Sequence, residues 1–255
     1  MRNSLWMPKS SSRKSASKSR TWNNYHSLST NDHPLPLSFL DPNQTSLKIC
    51  GVTLAEDAQR LISLGVDAMG INFWPHSKRY LSPEAARSLL MEASGRITRV
   101  GVFVNAEPSV PRQLLEYGLI DIAQFHGDES PGYCTPFADD SLPFIKAIGV
   151  SNKASLENIT DYRASAILLD TPAPGVYGGT GEVFDWSHAV EFIGAHPEIP
   201  VLLAGGITPE NASQAIEEVH PAALDVASGA ELSPGIKDFK KVAALMESIT
   251  RSRTP

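Results

Sequence analysis

The chain has 255 residues, 42% of them apolar and 20% charged, which is enough for one large domain with a full core or for two small ones. No apolar run approaches the roughly 20 residues of a membrane span, and two cysteines, Cys50 and Cys134, make no disulfide framework, which points to a reducing compartment. The net charge of -6 is unevenly spread: residues 1–31 hold six basic and no acidic residues, leaving -12 on the remainder, and an acidic body argues against nucleic acid as the main partner.

Residues 1–45 are rich in Ser, Asn, Pro and basic residues and show no sustained apolar period. Such a stretch cannot bury enough surface to offset the entropy of ordering, so it is expected to be a disordered extension, with a folded domain over 46–255. Its acid-free composition also suits an organelle transit peptide or a start codon placed too early. The cytoplasm is the expected location, with a plastid as the alternative if the extension is a transit peptide. There is no apolar h-region of a secretory signal.

The stretch from Leu47 to Thr53 places a thiol at the end of a short apolar strand and directly before a helix start. Thr53 and Glu56 form a capping-box pattern, and Leu54, Ala58, Leu61, Ile62 and Gly65 recur at helical spacing. Further strands are expected at 68–73, 97–104, 120–125, 144–148, 166–169, 201–204 and 224–226. Ser82-Pro83 and Thr208-Pro209 each put an N-cap before a Pro at the first helical position. Phe239, Val242, Ala243, Met246 and Ile249 share one face of a last helix, while 130–137 and 154–159 read as short or irregular helices. Eight strands each followed by a helix in about 210 residues fit a single closed (β/α)8 barrel of the α/β class, with an open sheet as the alternative.

In a closed parallel barrel the residues after each strand share one face. That gathers Cys50-Gly51, the stretch from Asn72 to Tyr80, Asn105, Gln124 to Gly127, Asp170, Gly205-Gly206 and Ser228-Gly229. Each has an ordinary alternative: Cys50 as an inert thiol, Asp170 as a turn cap, His126 as a structural histidine, Gly205-Gly206 as a tight loop. Gly205 and Gly206 after the seventh strand, with Ser228 and Gly229 after the eighth, stand where this fold holds phosphate, since glycine lets backbone amides close on an anion. Gly178, Gly179 and Gly181 follow Asp170 in a long connection suited to a lid or binding loop. No close Cys or His pair has the spacing of a metal site, and no signature of a cysteine hydrolase surrounds Cys50.

Residues 47 to about 250 resemble the phosphoribosylanthranilate isomerase family, barrel enzymes of tryptophan biosynthesis. The likeness runs through Lys48-Ile49-Cys50-Gly51, the run from Trp74 to Tyr80, Val100 to Asn105, Gln124-Phe125-His126-Gly127, Leu168-Leu169-Asp170, Gly178 to Gly181 with Phe184-Asp185-Trp186, Leu203 to Gly206, and Pro234 to Asp238. It implies an Amadori rearrangement of N-(5-phosphoribosyl)anthranilate without metal or organic cofactor. The partner is then a small phosphorylated substrate, with no nucleic acid or membrane, and the protein a monomer or homodimer. Carried over, Cys50 is the general base, Asp170 the general acid and Arg79 the contact for the anthranilate carboxylate. Gln124, His126, Gly179, Gly181, Gly205, Gly206, Ser228 and Gly229 are expected among the substrate-binding residues. Two positions depart from the family pattern: Ala227 replaces a serine of the phosphate loop, and Phe125 stands where leucine is usual. An indole-glycerol-phosphate synthase would need catalytic lysines and glutamates at the strand ends, a set that Lys48 and Lys146 alone do not supply. A non-catalytic barrel that binds a phosphate metabolite is the alternative from another class.

The chemistry suits these residue types independently. Opening a ribofuranose needs a proton delivered to the ring oxygen, and the enamine step needs one removed from the adjacent carbon. A cysteine serves as that base through its thiolate, which nearby cations favour, while Asp170 has to hold a proton for part of the cycle.

Overall fold

Eight parallel strands close into a barrel in sequence order in our computed structural model, which describes residues 37–172 and 184–253. They are β1 (Ser46–Cys50), β2 (Ala68–Asn72), β3 (Thr98–Phe103), β4 (Ile122–Phe125), β5 (Phe144–Gly149), β6 (Ala166–Asp170), β7 (Val201–Leu203) and β8 (Ala223–Val226), with β8 pairing back onto β1. All eight expected strands are present, and the closure that periodicity left open is made by the register Lys48 to Asp225 and Ile49 to Val226.

The outer layer holds α1 (Ala55–Ser63), α2 (Pro83–Glu92), α3 (Ser109–Glu116), α4 (Pro131–Asp139), α5 (Ser187–Ala195), α6 (Ala212–Val219) and α7 (Phe239–Ser252). Between β5 and β6 two 3-10 turns, Lys153–Leu156 and Ile159–Tyr162, replace a helix. Asn158 and Arg163 flank the second in left-handed conformations, which interrupts any helical path. A short antiparallel hairpin, β9 (Glu231–Ser233) and β10 (Ile236–Lys237), lies between β8 and α7. Among the described residues no helix is long and apolar enough to cross a membrane.

Side-chain alternation builds two cores. Leu47 and Ile49 on β1, Ile167 and Leu169 on β6, and Leu224 and Val226 on β8 pack outward against the helices. Ala68, Val100, Ile122, Ile145, Leu168 and Leu202 fill the barrel interior. Phe39, from a 3-10 turn over Leu37–Leu40, joins this inner cluster and is only 2% exposed. The sequence reading assigns it to the extension, because a lone aromatic in a polar stretch has no period to reveal it. Phe125 fits its unusual position by packing outward on Tyr133, Phe137 and Phe144, with ring centroids 5.0 to 5.4 Å apart.

Two helix starts differ from expectation. Thr53 is no capping-box residue: its hydroxyl donates to the carbonyl of Gly235 at 2.7 Å, and α1 starts after Leu54 with no side-chain cap. Thr208-Pro209 forms a turn ahead of α6 rather than its first residues, and Asn211 precedes the helix instead. Ser82 does cap α2, accepting from the amide of Ala85 at 3.2 Å with Pro83 in the first turn. α4, capped by Ser130, carries Pro136 inside, in keeping with the irregular helix expected there.

Candidate active site

The carboxyl ends of the strands surround a cavity, open to solvent, whose wall includes Cys50, Arg79, His126, Asp170, Gly206 and Ser228. Cys50 and Asp170 end β1 and β6, both at inward positions of the alternation. Gly70, the β2 partner of Cys50, makes the room: a Cβ there would lie 2.8 Å from the Cys50 sulfur and 3.2 Å from Lys48 Nζ. Cys50 is partly exposed, whereas Cys134 is buried in the outer core, where burial pushes its thiol up to about 11.

Lys48, two residues before Cys50 on the same face, is fully buried and pairs with Asp225 at 2.7 Å. Burial pushes its ammonium down, but Asp225 and the Cys50 sulfur outweigh this and its pKa is raised. For Cys50 the balance is the reverse of what nearby cations alone would give. Burial pushes the thiol up and Asp225 adds to it, while Lys48 and Lys237 pull down without cancelling the rise. Cys50 therefore rests as a thiol at neutral pH, and its thiolate, once formed, is a stronger base for it.

Asp170 is held at both oxygens. Its Oδ1 accepts from the amide of Thr171 at 2.8 Å, and its Oδ2 lies 3.2 Å from Nε2 of His126. Gln124 Nε2 in turn lies 2.7 Å from His126 Nδ1. Gln124 is completely buried on β4 and is not part of the cavity wall.

Arg79 reaches the site from the loop after β2 and lies across Gly51, where any Cβ would collide with its Cδ; the φ of +74° at Gly51 favours glycine as well. Glu231 on β9 holds the guanidinium at two points, Nε to Oε1 at 2.8 Å and Nη2 to Oε2 at 2.6 Å. Nη1 makes no bond among the described residues. Glu231 Oε1 also accepts from Lys237 Nζ at 2.7 Å, and that ammonium donates to the Cys50 carbonyl at 2.5 Å. One carboxylate thus ties the β2 loop and the β9-β10 hairpin to the end of β1.

The loops after β7 and β8 take conformations that need glycine. Gly205 and Gly206 both have positive φ, +78° and +65°, and a Cβ on Gly205 would collide with Thr171 Oγ1. Gly229 lies against the carbonyl of Ile207, so the β7 and β8 loops touch where a side chain would part them. Asn211 braces the first loop, donating to Gly206 O at 2.9 Å and accepting from the Thr208 amide at 2.8 Å. Among the described residues the amides of Gly205, Gly206, Ser228 and Gly229 donate to no protein acceptor, the condition under which loop amides can receive an anion. Gly179 and Gly181 lie outside the described residues.

Sequence reasoning missed Asp225, Asn211 and Glu231. Asp225 carried a signal, a charge in the middle of an apolar strand; Glu231 carried none that local pattern could expose. Lys48 and Lys146 are both committed to buried pairs, Lys146 to Glu129 at 2.8 Å, so neither presents a free ammonium. Among the described residues no group of three or more His, Cys, Asp or Glu side chains is placed to hold a metal ion.

Comparison with known proteins agrees with this geometry. The family model described as N-(5'-phosphoribosyl)anthranilate (PRA) isomerase matches residues 47–248. The chain is 44% identical over 202 residues to N-(5'-phosphoribosyl)anthranilate isomerase of Citrifermentans bemidjiense, covering 79% of this chain and 95% of that protein. It superposes on the crystal structure of phosphoribosyl anthranilate isomerase from Thermotoga maritima with a TM-score of 0.74 and 39% identity, over 82% of this chain and all of that one. A crystal structure of a phosphoribosyl anthranilate isomerase in complex with reduced 1-(o-carboxyphenylamino)-1-deoxyribulose 5-phosphate matches with a TM-score of 0.70 and 37% identity, over 82% of this chain and all of that one.

Proposed function

The chain belongs to the N-(5'-phosphoribosyl)anthranilate isomerase family, and on that premise we propose that Cys50 and Asp170 divide the proton transfers of its rearrangement between them. The enzyme converts N-(5-phosphoribosyl)anthranilate into 1-(2-carboxyphenylamino)-1-deoxyribulose 5-phosphate, a step of tryptophan biosynthesis. Asp170 gives a proton to the ribose ring oxygen as the bond from that oxygen to C1' breaks and the anilino nitrogen forms the imine. Cys50, as thiolate, removes the proton on C2', and the resulting enolamine tautomerises to the ketone. Substrate and product are isomers, so no oxidant or reductant is consumed.

The observation that carries this reading is the shared cavity, whose wall includes the Cys50 thiol at the end of β1 and the Asp170 carboxyl at the end of β6, together with loop amides that have no acceptor among the described residues. Those amides hold the phosphate. Arg79, oriented by Glu231, offers Nη1 and the outer edge of Nη2 to the anthranilate carboxylate. Gly179 and Gly181 are counted among the substrate-binding residues on the family resemblance alone. The compartment is the cytoplasm, and the assembly a monomer or a homodimer, which sedimentation velocity distinguishes. An optical assay of turnover of the anthranilate adduct tests the assignment: Cys50→Ser and Asp170→Asn each lower kcat by about 10²- to 10⁴-fold, and near-normal kcat in either variant removes that residue from its role.

A further inference from the structure

We propose that Gln124 and His126 serve the reaction as positioning residues rather than as substrate ligands: Gln124 fixes the imidazole in its Nε2–H tautomer, and that N–H holds Asp170. The proposal deepens the reading of Asp170 as the acid and rests on it.

Gln124 has no access to substrate, being fully buried and absent from the cavity wall. Its amide nitrogen, 2.7 Å from His126 Nδ1, donates, so Nδ1 must offer its lone pair and the ring proton sits on Nε2. The opposite amide orientation would place the oxygen at Nδ1 and leave a buried NH2 unmet. As it stands, the unmet atom is the buried Oε1, and a carbonyl oxygen without a partner is tolerated better than an N–H. Nε2–H then points at Asp170 Oδ2, 3.2 Å away.

The imidazole is anchored with unusual thoroughness. The His126 amide donates to Phe103 O at 2.8 Å. Lys146, from the outer face of β5, donates to the carbonyls on either side of His126, Phe125 O at 3.3 Å and Gly127 O at 2.6 Å. Glu129 accepts from the Gly127 amide at 3.0 Å, from Lys146 at 2.8 Å and from the Asn105 amide at 2.8 Å. A buried ion pair therefore locks the backbone around one side chain, and that side chain's outward contact is the carboxyl of Asp170.

This arrangement matters at one moment. When the Asp170 O–H bond breaks and the proton goes to the ring oxygen, a carboxylate is left, and a preset Nε2–H meets it with a charge-assisted hydrogen bond. The Nδ1–H tautomer would instead turn a lone pair on Asp170 and compete for its proton. His126 keeps its own proton throughout, because the Gln124 amide has none to hand on.

The test combines kinetics with 15N NMR of histidine-labelled full-length enzyme. His126→Leu is expected to lower kcat about ten- to a hundredfold, the worth of one charge-assisted hydrogen bond, with KM little changed. His126→Gln, which keeps an N–H at the same reach, restores most of the loss. In an Asp170→Asn background His126→Leu costs nothing further. A raised KM with unchanged kcat would make His126 a substrate ligand, and an equal loss in both backgrounds would show that it acts apart from Asp170; either overturns the proposal. Full activity of Asp170→Asn alone would overturn the acid assignment, a distinct result. The wild-type spectrum carries the tautomer claim without any variant: Nε2 protonated and Nδ1 bare is expected, with the bias lost in Gln124→Met, and a protonated Nδ1 in the wild type refutes it.

Discussion

Glu231 grips Arg79 at two points, Nε to Oε1 at 2.8 Å and Nη2 to Oε2 at 2.6 Å, across 152 positions of sequence. Its side chain is 3% exposed, and burial raises its pKa while Arg79 and Lys237 lower it further, so the net shift is downward from 4.5. Removing the charge strands two cations. Glu231→Gln is expected to cost about 3–5 kcal/mol of stability, the usual result of breaking a buried pair from one side. Because the folded-state pKa is depressed, this contribution is full above 4.5 and fades as pH falls through the folded value. Urea unfolding of both proteins at several pH values checks it, and a gap that stays constant down to the lowest pH speaks against the account.

If Cys50 is the base proposed above, its raised thiol is expected to set the pH dependence of turnover. Below its pKa each unit of pH removes about nine-tenths of the remaining thiolate, so kcat/KM rises with pH toward an ionisation above the ordinary cysteine value of 9.0. Cys50→Ser removes that limb. A profile that is flat from pH 6 to 9 in the wild type would mean that another group takes the C2' proton.

Charge at the phosphate loop can be separated from shape at Gly206. Its φ of +65° is one that Asn and Asp tolerate better than other side chains, so Gly206→Asn and Gly206→Asp differ in little but charge. Binding of inorganic phosphate, measured by competition with substrate, is expected to weaken at least about tenfold more in the Asp variant, about 1.4 kcal/mol of like-charge repulsion. Equal weakening would place the anion elsewhere.

Phe39 marks how far the N-terminal stretch can be removed. Phe39→Ala empties a buried site at the base of the barrel and is expected to cost about 3–5 kcal/mol. A chain starting at residue 37 should melt with the full-length protein and keep its kcat, whereas one starting at Thr45 should melt lower. Coincident melting of all three would show that the ring contributes nothing.

The barrel was legible because its strands are short apolar runs at regular intervals, and Cys50, Asp170, Gly205 and Gly206 were legible because they stand where those runs stop. What escaped was fixed by partners far along the chain. Thr53 and Glu56 had every local mark of a capping box, yet the carbonyl of Gly235, 182 positions away, took the hydroxyl. Glu231 and Lys237 carry no local mark of their partners, because only the hairpin brings them to Arg79 and to the carbonyl of Cys50. Gln124 and His126 are expected among the substrate-binding residues by family resemblance; strand alternation turns both inward, and only the structure shows that Gln124 is fully buried with its amide 2.7 Å from His126 Nδ1.

The filled lower half of the barrel bears on traffic as well as stability. With Phe39, Ile122, Leu168 and Leu202 packed beneath the layer of Lys48 and Asp225, the described residues leave the cavity no rear exit, so the ketose is expected to leave by the mouth through which the aldose adduct entered. Both ligands queue for one doorway and one phosphate cradle. Accumulated product must then act as a competitive inhibitor, raising the apparent KM and leaving the limiting rate untouched.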